Sequence, residues 1–432
     1  MIGIILGLLI LVYGCFKGFS SLWIAPICAV VVALGSGLNG FNAYTVSFME
    51  GFAGFAQGYL PIFILGAIFG KMMETTGAAY AVGNAIIRLV GKKRAILAVV
   101  LACAIMTYGG ISLFVVMFVI YPIAAALFRD ANVARQLFPG AFALGSYTFT
   151  MTALPGSPQI QNLIPIDYFG TTAMAAPVLG CVSAAILFGL GMVWMTYRQK
   201  QFEKRGIGWT ENPNDTAAAA QAQTRSMNTF LAFLPLITVV VVLNVLGQDV
   251  IYALVCGILV NMACAAKTVK LKDMLLTWNE GAVSSLEPAL LTASVVGFGT
   301  VVKMSPAFNS MADAILGIDG NPLIILVLAV NLLAGACGSA SGGMSIALAA
   351  LGDKFIALSQ SSGIPLSVFH RLTSLSSGGL DTLPFEGGVC TILKLSGCTH
   401  KESYIDICMT SLVFPIVTAF IAVALASFGL TF

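Results

Sequence analysis

The chain has 432 residues, of which 58% are hydrophobic and only 9% are charged, and its formal net charge is +3. Soluble domains contain about 25% charged residues, so this composition excludes a water-soluble globular protein. The small net charge gives no support for binding to nucleic acid. Because the mean hydropathy is +0.96, apolar segments of about 20 residues, long enough to cross a bilayer, are predicted along the whole chain.

The first half combines uninterrupted apolar segments with two long segments that contain a polar break. The predicted elements are helices near 2–16, 20–36 and 58–73, an amphipathic segment at 75–90, a segment at 95–128 broken by TYGGIS (107–112), a segment at 137–166 broken by TALPGSPQ (152–159), and a helix near 172–197.

A basic hydrophilic stretch, 198–225, separates the halves, and the second half repeats the order of the first. Its predicted elements are helices near 226–246, 249–266 and 283–303, a short piece at 306–318, a segment at 322–357 broken by GSASGGMS (338–345), a segment at 364–393 broken by GGLDTLPFEGG (378–388), and a helix near 405–431.

Charge distribution indicates the orientation in the membrane, because cytoplasmic loops are enriched in lysine and arginine. With a cytoplasmic linker, and with TYGGIS and GSASGGMS as re-entrant hairpins, all 21 lysines and arginines except Lys303, Lys354 and Arg371 fall on the inner side. Each half then has five crossings, and this odd number predicts inverted repeats. We therefore expect a multi-pass protein of the cytoplasmic (inner) membrane with both termini outside.

The predicted fold is thus an all-α polytopic membrane protein built from two inverted repeats. Each repeat has about five transmembrane helices, a re-entrant hairpin and a broken helix. The predicted units are a first repeat (1–197), a cytoplasmic linker (198–225) and a second repeat (226–432). Inverted repeats with broken helices are typical of secondary transporters whose site lies near the bilayer midplane.

The two hairpin tips combine glycine with hydroxyl groups, which permits tight turns, close approach of backbone to a ligand, and hydrogen bonding. The alternative is a structural bend with serines that cap helix ends. The candidate residues are Tyr108, Gly109, Gly110 and Ser112 in the first tip and Ser339, Ser341, Gly342 and Ser345 in the second.

TALPGSPQ contains two prolines, Pro155 and Pro158, which remove helix hydrogen bonds. A helix that begins after Ser157 would present N–H groups and a positive dipole end, which suit a carboxylate ligand. The alternative is a proline kink used for packing. The candidate residues here are Thr152, Pro155, Gly156, Ser157 and Gln159.

GGLDTLPFEGG differs from the first break by carrying two carboxylates, Asp381 and Glu386. An ionised carboxylate at mid-membrane costs about 2.5–3.5 kcal/mol or more, so such residues are functional candidates. A desolvated carboxylate takes up a proton more readily than one in water, which favours proton coupling. A sodium ligand and an acceptor for unwound N–H groups are alternatives.

The charge of the substrate remains open at this point. Two acidic residues favour a cation, whereas the helix N-termini and glycine-lined turns favour an anion. Arg371 and His370 lie in the outer half of the same broken helix.

Other classes of function have little support. An intramembrane enzyme would need a nucleophile with a base or a metal triad, and the chain has two histidines, neither in a motif. Most of the ten cysteines lie in apolar segments and none forms a C-x-x-C pair, so no metal or cofactor is expected. A passive channel would not account for paired hairpins.

Several segments resemble the gluconate permease (GntP) family of the wider ion transporter superfamily: GAIFGKMMETTGAA (66–79), GKKRAILAVVLACAIMTYGGIS (91–112), TALPGSPQIQNLIP (152–165), GGLDTLPFEGG (378–388) and SGCTHKESY (396–404). The resemblance implies proton-coupled uptake of a small carboxylate, such as a gluconate-like sugar acid or a short hydroxy or keto acid. It also implies a homodimer with an elevator-like architecture and both termini outside.

By position, the resemblance carries the site onto the hairpin tips and breaks, that is 108–112, 152–159, 338–345 and 378–382, which adds Gly378, Gly379 and Thr382. The acidic second break departs from the neutral pattern of the sugar-acid members. A sodium-coupled carrier for citrate or a dicarboxylate is the alternative function.

Overall fold

The protein is described by a computed structural model that covers residues 2–17, 19–212, 227–306, 321–337, 339–384 and 386–432. These residues form 17 helices and no β-strand. The predicted all-α fold class is therefore confirmed. The predicted piece at 306–318 lies almost wholly outside the described residues, as do Gly338 and linker residues 213–225.

The helices follow the predicted order closely, with differences at their ends. The first half has α1 (Ile2–Phe16), α2 (Ser21–Gly35), α3 (Gly40–Thr75), α4 (Ala78–Val90), α5 (Ala95–Tyr108), α6 (Leu113–Asp130), α7 (Phe138–Ser146), α8 (Ile160–Phe169) and α9 (Pro177–Lys204). The second half has α10 (Thr229–Asn244), α11 (Val250–Ala265), α12 (Leu271–Met304), α13 (Pro322–Cys337), α14 (Ala340–Ser362), α15 (Leu366–Ser377), α16 (Gly387–Ser396) and α17 (His400–Ser427).

Six of these helices, α3, α6, α9, α12, α14 and α17, are long and apolar enough to cross a membrane. Several shorter helices are also apolar, which fits hairpins and broken helices that cross only part of the bilayer. The chain is therefore a multi-pass membrane protein.

The order of helices recurs between the halves. α10, α11 and α12 correspond to α1, α2 and α3, and α13 to α17 correspond to α5 to α9. The packing also recurs, because α5 packs on α6 and α7 as α13 packs on α14 and α15. The opposite orientation of the halves, and the exact boundaries of the units, stay predictions.

Two long helices, α3 and α12, pack along one another through small residues. A β-carbon at Gly297 would lie 2.7 Å from the carbonyl oxygen of Phe48, and one at Gly281 would lie 2.7 Å from the Cα of Ile68. Glycine therefore allows the close approach of the two helices.

Both long helices begin earlier than predicted. α3 starts at Gly40 instead of residue 58, and α12 starts at Leu271 instead of residue 283. Polar residues such as Gln57 and Glu280 lower the hydropathy of these turns without breaking the helix, and Asn39 caps α3 by accepting from the N–H of Asn42 at 3.0 Å. Hydropathy located the membrane segment but missed its helical extension.

The predicted linker begins inside a helix, because α9 continues to Lys204. The residues that follow it fold back onto the protein. Asn212 donates to the hydroxyl of Tyr121 at 3.1 Å and to the carbonyl of Leu395 at 3.3 Å, and Arg135 donates to the carbonyl of Thr210 at 3.2 Å. Residues 205–212 therefore form a strap that rests on α6 and α16.

A buried ion pair joins the last helices of the two halves. Arg198 on α9 donates to Asp406 on α17 at 2.7 Å, and Trp194 donates to the same carboxylate at 2.9 Å. The Asp406 side chain is fully buried and the Arg198 side chain is 14% exposed. Removing one member of such a pair leaves an uncompensated charge in the protein interior.

We expect Arg198→Met to lower the free energy of unfolding by about 3–5 kcal/mol, because Asp406 would stay buried with only the indole N–H as a donor. The thermal unfolding midpoint of the detergent-purified protein measures this. Lys92→Met is the matched control, since it breaks the exposed Lys92–Asp130 pair and should leave the midpoint almost unchanged. Equal effects of the two substitutions would contradict the role assigned to Arg198.

Candidate functional site

The first hairpin tip is a four-residue turn between α5 and α6 that rests on the first break. Gly110 has φ +93°, a conformation that favours glycine, and a β-carbon there would lie 3.2 Å from Pro158. The Tyr108 hydroxyl donates to the carbonyl of Pro155 at 2.9 Å. Gln159 donates to the carbonyl of Thr107 at 2.6 Å. The tip and the break are thus held together by side chains from both.

The first break separates α7 from α8 and contains a π-helical turn, Phe149–Ala153. Thr152 donates to the carbonyl of Thr148 at 3.0 Å, and the Ser157 hydroxyl accepts from the N–H of Gln159 at 3.3 Å. Gly156, with φ +75°, accepts from Asn244 on α10 at 2.8 Å. The unwound backbone therefore finds partners within the protein, as a membrane interior requires.

The second hairpin is tighter than predicted. α14 starts at Ala340, so Ser341, Gly342 and Ser345 are helical, and the predicted interruption at 338–345 is wrong in its extent. The physical reason is a cap: the Ser339 hydroxyl accepts from the N–H of Gly342 at 3.2 Å. Ser341 lies 3.5 Å from the hydroxyl of Thr292 on α12.

The second break runs from Gly378 to Glu386, between α15 and α16. Both oxygens of Glu386 accept N–H groups at the start of α16, from Gly388 at 2.8 Å and from Val389 at 2.7 Å. Thr382 donates to the carbonyl of Ser411 on α17 at 3.1 Å. Glu386 thus caps a helix, which was one of the roles considered for carboxylates in this break.

The two breaks meet each other in the protein interior. Ser374, on the last turn of α15, donates to the carbonyl of Thr152 at 2.8 Å. A β-carbon at Gly378 would lie 2.9 Å from the Thr152 methyl group, and one at Gly388 would overlap the hydroxyl of Tyr147. The structure therefore brings Thr152 together with Gly378 across the two halves.

Other predicted residues lie away from this junction. Gly109 faces Leu236 on α10, where a β-carbon would lie 2.7 Å from its side chain. Ser112 is half-buried at the start of α6 and caps nothing with its side chain. The Ser345 hydroxyl is 1% exposed and has no hydrogen-bond partner within the described parts of the chain.

Asp381 is a predicted site residue whose buried carboxyl group has no cationic partner among the described residues. It is 7% exposed, and its Oδ1 has no hydrogen-bond partner among the residues described. No lysine, arginine or histidine nitrogen in the described segments lies within 4.0 Å of its carboxylate. A buried carboxylate in this state is costly, so it marks a functional position.

Arg371 is the matching positive feature, and it faces the first half. Its guanidinium is fully buried and donates to the carbonyls of Ala175 at 2.8 Å and Ala173 at 3.2 Å, and to the side chain of Asn162 at 2.9 Å. These partners are neutral oxygens, and no carboxylate of the described chain forms an ion pair with it. His370 lies beside it and pairs with Thr171 at 2.6 Å.

Three contact residues, Asn331, Ser376 and Tyr147, were not predicted from the sequence. Asn331 is 5% exposed and its Oδ1 lies against Gly379, where a β-carbon would overlap it. Asn331 is the only amide side chain in the apolar segment Pro322–Cys337, so the sequence does mark it as unusual. Ser376 and Tyr147 lie in segments whose polarity does not distinguish contact residues from capping residues.

Comparison with known proteins identifies the family. Residues 1–253 match the family model described as GntP family permease. The chain belongs to the GntP permease family. The resemblance inferred from its motifs is therefore confirmed, and the protein is a membrane transporter of this family.

Two further matches agree with this assignment. The protein named uncharacterized transporter YxjC, from Bacillus subtilis (strain 168), is 38% identical over 473 aligned positions, which cover 100% of this GntP permease and 99% of the relative. The YdaH transporter of Alcanivorax borkumensis, whose crystal structure is described as having an unusual topology, is similar in fold. It has a TM-score of 0.62 and 14% identity, and the match covers 90% of this chain and 89% of that one.

The junction of the breaks can be tested with glycine substitutions. We expect Gly378→Ala to reduce transport several-fold, because the new methyl group would displace Thr152 at the contact between the halves. Transport rates in proteoliposomes, normalised to reconstituted protein, measure the effect. Gly54→Ala on α3 is the control, since a β-carbon there meets no atom within 4 Å. Unchanged transport by Gly378→Ala would exclude a tight junction in the working protein.

Proposed function

We propose that this GntP permease is a secondary active transporter that takes up a small organic carboxylate together with a proton by alternating access. The observation that carries this proposal is the junction of the two breaks, where Thr152 of one half meets Gly378 of the other. Broken helices at a repeat interface are where secondary transporters place substrate and coupling-ion sites. The proposed substrate-binding residues are those of the two hairpin tips and the two breaks.

The positive charge and the helix N-terminus that lie near the first break support an anionic substrate. Arg371 supplies a buried positive charge with neutral partners only, and α8 directs its N-terminus toward the first break. A helix N-terminus and a desolvated guanidinium both favour a carboxylate. A gluconate-like sugar acid or a short hydroxy or keto acid is the proposed substrate class.

Asp381 is the proposed site of proton coupling. It is buried, it lies in the second break, and it has no cationic partner in the described chain. Protonation removes the cost of its charge inside the membrane. Glu386 shares the break, but its oxygens already stabilise the start of α16, which favours a capping role over proton transfer for this residue.

Several finer features belong to the same proposal. The transporter is proposed to lie in the cytoplasmic membrane as a homodimer, with both termini outside and the linker inside, and to carry out no chemical reaction on its substrate. A sodium-coupled carrier for citrate or a dicarboxylate is the second candidate. Its support is that the break that carries Asp381 also contacts a neutral oxygen without a hydrogen-bond partner in the described chain, Asn331 Oδ1 at Gly379, because sodium is bound by oxygen ligands.

Uptake of labelled carboxylates into proteoliposomes tests the proposal. We expect accumulation when an inward proton gradient is imposed and no accumulation without a gradient. A thermal-shift screen of carboxylates on the purified protein selects the compounds, since binding raises the apparent stability. If a sodium gradient drives uptake and a proton gradient does not, the coupling ion is sodium. Single-channel conductance would contradict a carrier.

Asp381→Asn should abolish accumulation driven by the ion gradient, because the neutral amide cannot gain or lose a proton. Substrate exchange across the membrane should persist at least in part, since exchange needs no net ion movement. Exchange of labelled for unlabelled carboxylate measures the difference. Loss of all substrate binding by calorimetry would place Asp381 in the substrate site or the fold instead.

A further inference from the structure

Three buried oxygen atoms without partners surround the C-terminal end of α15. They are Asn331 Oδ1, the Ser376 hydroxyl and Asp381 Oδ1, whose residues are 5%, 0% and 7% exposed. None of the three forms a hydrogen bond within the described segments of the chain. A buried polar atom is normally paired, so an unpaired oxygen on each of three residues in or next to this end of the helix points to a missing ligand.

A hydrogen bond within α13 fixes the orientation of the Asn331 side chain. Its amide nitrogen donates to the carbonyl of Val327 one turn earlier on α13, at 2.8 Å, which leaves Oδ1 as an acceptor. That oxygen lies against Gly379, where any β-carbon would overlap it. Leu380 packs on Gly335, where a β-carbon would lie 2.8 Å from that of Leu380. The start of the second break therefore lies along α13.

Asp381 and Ser376 flank the same glycine. Asp381 follows Gly379 by two residues, so their Cα atoms are at most about 7.6 Å apart. The N–H of Gly379 donates to the carbonyl of Ser376 at 3.2 Å. The three unpartnered oxygens thus belong to residues gathered around one backbone position.

The electrostatics of this place favour a cation. α15 ends here, and the C-terminal end of a helix carries negative partial charge. Asp381 adds a full negative charge when it is ionised, and the positive charge of Arg371 is directed away, toward the carbonyls of Ala173 and Ala175. The charge of Glu386 is held at the N-terminus of α16. A single uncompensated negative charge remains.

We infer that Asn331, Ser376 and Asp381 form the site of a monovalent coupling cation, with Asn331 as the residue that fixes the cation against Asp381. This inference rests on the proposed function. One carboxylate matches one positive charge, which favours a monovalent cation over a divalent one. A proton and Na⁺ both neutralise Asp381: a protonated carboxyl group would donate a hydrogen bond to the amide oxygen of Asn331, and Na⁺ would be coordinated by that oxygen.

Other titratable groups along the break have other partners or positions. His400 pairs with the carbonyl of Pro384 at 2.7 Å, and the Tyr147 hydroxyl lies at Gly388 near the start of α16. Glu386 is the nearest second carboxylate and accepts two N–H groups. A change in cation dependence caused by substitution of Asn331 can therefore be distinguished from the titration of these groups.

The experiment measures the cation concentration that gives half-maximal uptake, once with protons and once with Na⁺ varied. Asn331→Leu should raise this concentration about tenfold or more for the ion that drives uptake, the scale expected for loss of a hydrogen bond to a charged group. Asn261→Leu is the control, because Asn261 is equally buried, on α11, and its oxygen accepts from Thr76 at 3.0 Å. Its cation dependence should match that of the wild type.

Gly379→Ala provides a second test that leaves Asn331 in the sequence, since the new methyl group displaces its oxygen. It should shift the cation dependence in the same direction. A response to protons identifies the ligand as a proton, and a response to Na⁺ identifies it as sodium.

Separate outcomes overturn the two proposals. If the wild type responds to neither ion, the proposed function fails. If it responds but both variants keep the wild-type cation dependence, only the inference fails. A fall in maximal rate with no change in cation dependence likewise assigns Asn331 to packing.

Discussion

The need to pair backbone polar groups inside a membrane is the constraint on which this structure depends. Each helix break exposes N–H and C=O groups that lipid cannot satisfy. The protein meets this need with side chains from neighbouring elements: Tyr108 and Asn244 donate to the first break, and Glu386 accepts from the end of the second. Each hairpin is consequently bound to the break of its own half, and the breaks contact one another.

This arrangement leaves two charges that the described chain does not compensate. Arg371 is surrounded by neutral carbonyl and amide oxygens of the first half, whereas Asp381 lies in the second break and its Oδ1 has no hydrogen-bond partner among the described residues. Both residues belong to the broken helix of the second half, Arg371 on α15 and Asp381 in the break that follows it. A carboxylate and a cation bound at separate but connected places would each compensate one of them, which is the physical basis for coupled movement of two solutes.

Much of the fold could be predicted from the sequence, because apolar segments and glycine-proline breaks report directly on membrane crossings. The positions of α5, α6, α8 and α15 follow this pattern. The early starts of α3 and α12 could not be predicted, because polar turns such as those around Gln57 remain helical when they continue a packed helix. The segments of the site could be predicted, but the contacts between them could not: Asn331 stands out in its apolar segment, whereas its contact with Gly379 joins distant parts of the chain and leaves no local signal.

The strap, residues 205–212 of the linker, contacts the part of the second half that follows the second break. Asn212 fills the space beside Gly397, where a β-carbon would lie 2.7 Å from its amide, and Arg135 donates to the carbonyl of Gly397 at 3.3 Å. A rotation of α16 relative to α6 would have to carry these residues along or break their hydrogen bonds. The strap is thus a mechanical element whose hydrogen bonds contribute to the energy of any such rotation.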